Sequence, residues 1–216
     1  MQAAAIGFRA KTGHAIAVAL CGAVDEPALV WRRDVSLVDP AVPETSQPYH
    51  AVMDLPWPQA LAAAERFVSA IEVVAADLLG TLVRELRSNG FAVRGIGVVG
   101  SPDRKLEKIG NPHIRAHGAE GVLFRRVLEK AAETNGIASR AFTEKDVAQC
   151  AMAELHVSRA RLLSQLKRLG VEAGPPWRGE EKAAATAALL CLRNSAGSSA
   201  RPDRRSRRTT RPKEAF

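Results

Sequence analysis

The chain has 216 residues, 46% of them hydrophobic and 25% charged, a globular composition with length for one α/β domain of roughly 200 residues. Lys and Arg outnumber Asp and Glu 31 to 23, a formal net charge of +8. Residues 194–216 hold seven of the cations against two acids, so the body is only mildly basic. This balance argues against wholly disordered, secreted and membrane classes, because no apolar run approaches the roughly 18–20 residues of a bilayer span and the N-terminus lacks a signal-peptide pattern.

In chain order, Ala3 to Arg9 is a short apolar run, a turn at residues 10–13 follows, and His14 to Cys21 is a second run. The pair predicts a hairpin. Leu29 to Leu37 mixes β-formers with charge and predicts a third strand near a sheet edge. Five prolines from Pro40 to Pro58 rule out regular structure over residues 39–56, since each lacks an N–H and restrains its predecessor. From Trp57 to about Ser88 apolar residues recur every three or four positions, which predicts a long amphipathic helix ended by Asn89-Gly90. Phe91 to Val99 lacks alternation and predicts a strand buried on both faces.

Asn111-Pro112 predicts a helix start, with an Asn cap and a proline where no donor is needed, and the helix runs to about Thr134. Ile137 to Phe142 is a short strand. Thr143 is expected to open a helix, with Asp146 completing an acidic capping box. A basic helix over Arg159 to Leu169 is expected to stop at Gly170, and a last helix spans Glu180 to about Arg193. The Ser-, Arg- and Pro-rich tail from Asn194 cannot bury enough apolar surface to offset ordering entropy and is expected to be disordered. This gives a domain over 1–193 and a basic tail over 194–216. The cysteines Cys21, Cys150 and Cys191 are odd in number, unpaired in spacing and set in apolar contexts, so neither disulfides nor a structural zinc site is expected, in keeping with a cytoplasmic protein.

Three strands followed by alternating helices and strands resembles the ribonuclease H-like fold, a mixed α/β sheet ordered βββαβαβα with flanking helices. The segments Ala5 to Ala15, Gly118 to Leu123 with Gly136-Ile137 and Phe142 to Val147, and Glu180 to Leu190 are similar to the Holliday-junction resolvase (RuvC) branch of that superfamily. The resemblance implies a nuclease site of clustered carboxylates around two divalent cations. Here the chain departs from it. Arg9 stands where an Asp is expected, Val98-Val99-Gly100 where an acid ends the fourth strand, and Ala183, Ala184, Ala185 and Thr186 follow Glu180 and Glu181 on the last helix. Asp103, Glu120 and Glu181 are the remaining candidate metal ligands, and magnesium is expected only if such residues rebuild the acidic site.

Other features offer different chemistry. His113, His117 and Glu120 fall at i, i+4 and i+7 of one helix, a spacing that lets two imidazoles share a metal with a carboxylate as third ligand. Arg115, Arg104 and Lys105 lie close by in sequence and suit a phosphate at a helix start. The loop from Glu44 to His50 contributes His50, a candidate acid or base near neutral pH. Lys11-Thr12-Gly13 lacks the spacing of a phosphate loop, although Lys11 and Arg9 are cations suited to a polyanion. Arg204, Arg205, Arg207 and Arg208 in the tail would bind nucleic acid by neutralising phosphates without sequence preference.

Two readings follow. One is a non-catalytic or divergent ribonuclease H-like protein associated with nucleic acid. The other is an enzyme of another class, acting on a phosphate-bearing substrate through His50, His113, His117, Glu120 and Arg115. A structural partner-binding module is the third possibility. No membrane partner is expected, and nothing in the pattern sets an oligomeric state. The relative positions of Arg9, Val99, Asp103, Glu120 and Glu181 discriminate between the first two: clustered acids favour a nuclease, converging histidines the alternative enzyme.

Overall fold

The structure, a computed structural model, describes residues 1–193. The tail expectation, including Arg204, Arg205, Arg207 and Arg208, falls outside the described residues. Strands β1 (Gln2–Lys11), β2 (His14–Gly22) and β3 (Pro27–Ser36) are followed by helix α1 (Trp57–Ser88) and strand β4 (Phe91–Val99). Helix α2 (Pro112–Thr134), strand β5 (Ser139–Phe142) and helices α3 (Val147–Leu155), α4 (Arg159–Ala173) and α5 (Gly179–Arg193) complete the order. The five strands form one sheet in the order β3-β2-β1-β4-β5. β2 runs antiparallel to both β1 and β3, while β4 and β5 run parallel to β1. A hairpin start extended by parallel strands through helical crossovers is the ribonuclease H-like mixed sheet expected from the sequence.

Period-two alternation divides the sheet into two apolar faces. On one, Ile6, Phe8, Ala17, Ile96 and Val98 pack with Ile71, Leu79 and Leu86 of α1 and Phe124 and Leu128 of α2. On the other, Ala5, Val18, Leu20 and Val99 pack with α5 and with Ala151 of α3 and Leu162 and Leu169 of α4. The strand residues facing α5 include Gly7 and Gly97. A Cβ at Gly7 would collide with the Ala184 carbonyl oxygen, and one at Gly97 would lie 2.6 Å from that of Ala187. The helix therefore rests its backbone directly on β1 and β4, which explains its run of alanines.

Both edges of the sheet are distinctive. β3 carries Arg32 and Arg33 on opposite faces, Arg32 towards Glu181 of α5 and Arg33 bonded to both carboxylate oxygens of Glu85 on α1. At the other edge β5 is only four residues long.

Besides shifts of one or two residues at the ends of β1, β2, β3 and α5, three boundaries differ from the sequence reading for reasons visible in the contacts. α4 does not stop at Gly170 but continues to Ala173, because this glycine is the seat of the Trp177 ring, whose Nε1–H donates to the Leu166 carbonyl at 2.8 Å. α3 begins at Val147. The Thr143 hydroxyl does bond Asp146, donating to its carboxylate at 2.6 Å and accepting from its amide at 3.3 Å, but those bonds close a turn ahead of the helix. β5 starts at Ser139, since Ile137 closes the end of α2 by donating to the Ala132 carbonyl.

Candidate functional site

In an open α/β sheet, ligand crevices form beyond the carboxyl ends of the parallel strands. In this sheet β1, β3, β4 and β5 all end on the same edge, because each runs parallel to β1 or is paired antiparallel to β2.

On the α5 face of that edge, Arg9 follows Gly7 by two residues and sits beside Val99 in register. α5 lies antiparallel to β1, with Ala184 over Gly7 and Glu180 reaching Lys11. Arg9 therefore lies between these two levels. Its guanidinium donates to Glu144, just past β5, at 2.8 Å and to the Ala10 carbonyl at 2.6 Å. Its Nε is buried with no hydrogen-bond partner. Lys11 is ion-paired with Glu180, and that lysine, with Arg9 and His14 adding smaller contributions, holds the Glu180 carboxyl below its ordinary range. A cleft of about 590 Å³ opens at Arg9, lined also by Ser101, Arg104, Thr143, Glu144 and Lys145. Arg104, Lys105, Lys108 and Lys145 are exposed and make no ion pair among the described residues. Sequence reasoning misses Glu144 and Lys145; their signal is their place directly after a strand that ends on this edge.

The acids expected as metal ligands do not come together. Asp103 is tied to α2 by Arg125 and by Arg126 at 3.2 Å. Glu181 is buried beneath Arg32, 3.7 Å away, and accepts the Arg178 amide at 2.7 Å, so it serves the start of α5. Glu120 is fully buried on α2 and faces the long loop. The condition attached to magnesium, that these three candidates rebuild an acidic site, is not met by this arrangement: each makes a different structural bond. Arg115, beside the histidine pair in sequence, donates to the Ile109 carbonyl at 3.0 Å and its guanidinium lies over the Trp57 ring.

The histidines converge. The loop between β3 and α1 folds onto the start of α2, where the Glu120 carboxylate accepts three bonds. Its Oε1 takes the amides of Tyr49 at 3.2 Å and His50 at 3.1 Å, and the His50 ring Nδ1 at 2.8 Å. One turn apart on α2, His113 and His117 face each other with their Nε2 atoms 3.1 Å apart. The His50 ring stands edge-on to both, with centroids 5.0 and 4.4 Å away. One ring nitrogen from each of the three lies within 4.8 Å of the others. Glu120, expected from its spacing to be the third member of this group, is instead the residue that orients His50. The sequence spacing along α2 located two of the three imidazoles; the third arrives from about 70 residues upstream, a proximity that periodicity does not encode.

No protein-family model and no curated protein matches the chain. Among solved structures, it is similar to Thermus thermophilus RuvC, at 12% identity and a TM-score of 0.49 over 90% of this chain and 96% of that one. It is also similar to T. thermophilus RuvC in complex with Holliday junction substrate, at 14% identity and a TM-score of 0.48 over the same shares. The ribonuclease H-like character of the sheet rests on its own strand order and directions. None of the described helices is long and apolar enough to cross a membrane.

Proposed function

We propose that this chain is a divergent ribonuclease H-like protein that binds nucleic-acid phosphates along the carboxyl edge of its sheet and does not cleave them by two-metal chemistry. The observation that carries this reading is Arg9. A fixed guanidinium at the end of β1, next to the aliphatic Val99, repels the divalent cations that such chemistry requires and withholds oxygen ligands from them. The same charge favours a phosphate oxygen. Arg104 and Lys145 line the cleft without acidic partners among the described residues and outweigh Asp146 on its wall, the exposed Lys105 follows Arg104 in the chain, and Lys11, already held by Glu180, contributes less. Arg204, Arg205, Arg207 and Arg208 are proposed to add nonspecific contacts through counterion release. The alternative, an enzyme acting on a phosphate-bearing substrate, is favoured by the convergence of the three imidazoles.

Fluorescence anisotropy with labelled DNA and RNA across a salt series tests the proposal. The full chain is expected to bind with a dissociation constant that rises steeply with salt. The double variant Arg104→Ala/Lys105→Ala should flatten the logarithmic salt slope by about two, one for each phosphate that is no longer neutralised. Removal of residues 195–216 should weaken binding further. Absence of binding at low salt, or magnesium-dependent phosphodiester cleavage by the purified chain, would overturn the reading.

A further inference from the structure

Three imidazoles and a buried carboxylate, contributed by a long loop and one helix, make an arrangement that nucleic-acid binding does not use. We propose that His50, His113 and His117 form a binding site for a single borderline divalent transition-metal ion of the zinc class, with Glu120 as the positioning residue behind His50 and a fourth coordination position left to water or an exogenous ligand.

The argument begins at Glu120. A carboxylate with no exposed surface needs partners, and this one receives two backbone amides and the His50 ring on a single oxygen, Oε1. An ionised carboxylate only accepts, so His50 Nδ1 carries the proton, and in the neutral ring Nε2 then presents a lone pair. That Nε2 is buried and has no hydrogen-bond partner. A histidine whose far nitrogen is fixed by a carboxylate, while its near nitrogen is free, is prepared to bind a metal: the carboxylate sets the tautomer, aims the ring and raises its basicity.

The partners have compatible geometry. At Zn–N distances of about 2.0–2.1 Å and tetrahedral angles, ligand nitrogens lie roughly 3.3 Å apart. His113 and His117 Nε2 are already 3.1 Å apart, and bringing the His50 ring nitrogen into the set needs a closure of about 1.5 Å from the 4.8 Å limit. His113 and His117 are exposed and one helical turn apart, so their rings are free to turn. Neutral imidazoles suit zinc, cobalt or nickel; magnesium and calcium prefer oxygen and are disfavoured. Three protein ligands leave one position open.

The test uses the tag-free full chain, with titration calorimetry against zinc and the visible bands of the cobalt-substituted protein as readouts. One zinc per chain and the intense visible bands of tetrahedral cobalt are expected. His50→Ala, His113→Ala and His117→Ala should each weaken zinc binding by at least about 100-fold, and Glu120→Gln by about 10–100-fold. His156→Asn, at a histidine far along the chain with a left-handed backbone that Asn tolerates, should bind like the parent. Circular dichroism checks that each variant is folded, and the two exposed positions on α2 keep the test decisive if His50→Ala is not. Failure of the parent chain to bind zinc would overturn the site. So would full binding by His50→Ala, which would reduce it to a surface histidine pair. Neither result bears on phosphate binding at Arg9.

Discussion

At the end of β1 the Arg9 side chain is 15% exposed while its partner Glu144 is 62% exposed. The asymmetry decides what the pair does. Glu144 stays hydrated without its partner, so the ion pair contributes little to stability, as exposed pairs generally do. Arg9→Met keeps an apolar stem and removes the charge. It is expected to change the free energy of urea unfolding by less than about 1 kcal/mol, while weakening nucleic-acid binding; a larger loss of stability would make Arg9 a structural residue. The sequence singles out Arg9 only through the family resemblance, which implies an acid at the end of the first strand; strand and turn patterns alone do not mark it. The bonds that Asp103, Glu120 and Glu181 make were not legible, since each partner lies on another element: Arg125 on α2, His50 in a loop, Arg32 on β3.

α5 illustrates what an element requires of its neighbours. The sequence places this last helix, but not the glycines that receive it, Gly7 and Gly97, which lie in strands that read simply as apolar. A methyl group at Gly7 would meet helix backbone, which cannot swing aside as a flexible side chain does. Gly7→Ala is therefore expected to destabilise the fold by about 3 kcal/mol or more, the upper end of overpacking costs, measured by the urea midpoint. An unchanged midpoint would mean that α5 can lift from the sheet. Gly170 is the converse case. Read as a helix stop, it is a helix interior residue kept small by Trp177: the backbone takes positive φ not here but at Gly174, the only glycine beyond it among the described residues to do so.

At the scale of the whole molecule, three of the ion pairs that tie strands to helices shift the carboxyl they hold: Arg33 to Glu85 joins β3 to α1, Arg140 to Glu154 joins β5 to α3, and Lys11 to Glu180 joins β1 to α5. In each, the hydrogen bond from the cation holds the carboxyl below its ordinary 4.5. Carboxyls with depressed folded values stabilise the fold fully above the unfolded value and lose that contribution as pH falls through the folded ones. The urea midpoint is thus expected to hold near neutrality and to fall below about pH 4.5, and charge-neutral variants of the three glutamates should flatten that fall. A midpoint insensitive to acid would count against all three ties. The element order was the most legible feature at this scale, because apolar runs and helical periods mark each element, whereas the strand order follows only from the family resemblance; the three histidines were named together, but their contact depends on how a proline-rich loop returns to α2.

Sheets that end in unpaired strands invite other chains to add on, and the two ends of this one discourage it. A newcomer docking against β3 would have to lie over two arginines whose guanidiniums project to either side, and one approaching β5 would find a rung only four residues long. Crowding this protein should therefore not, by this route, seed the stacked ribbons of a fibril.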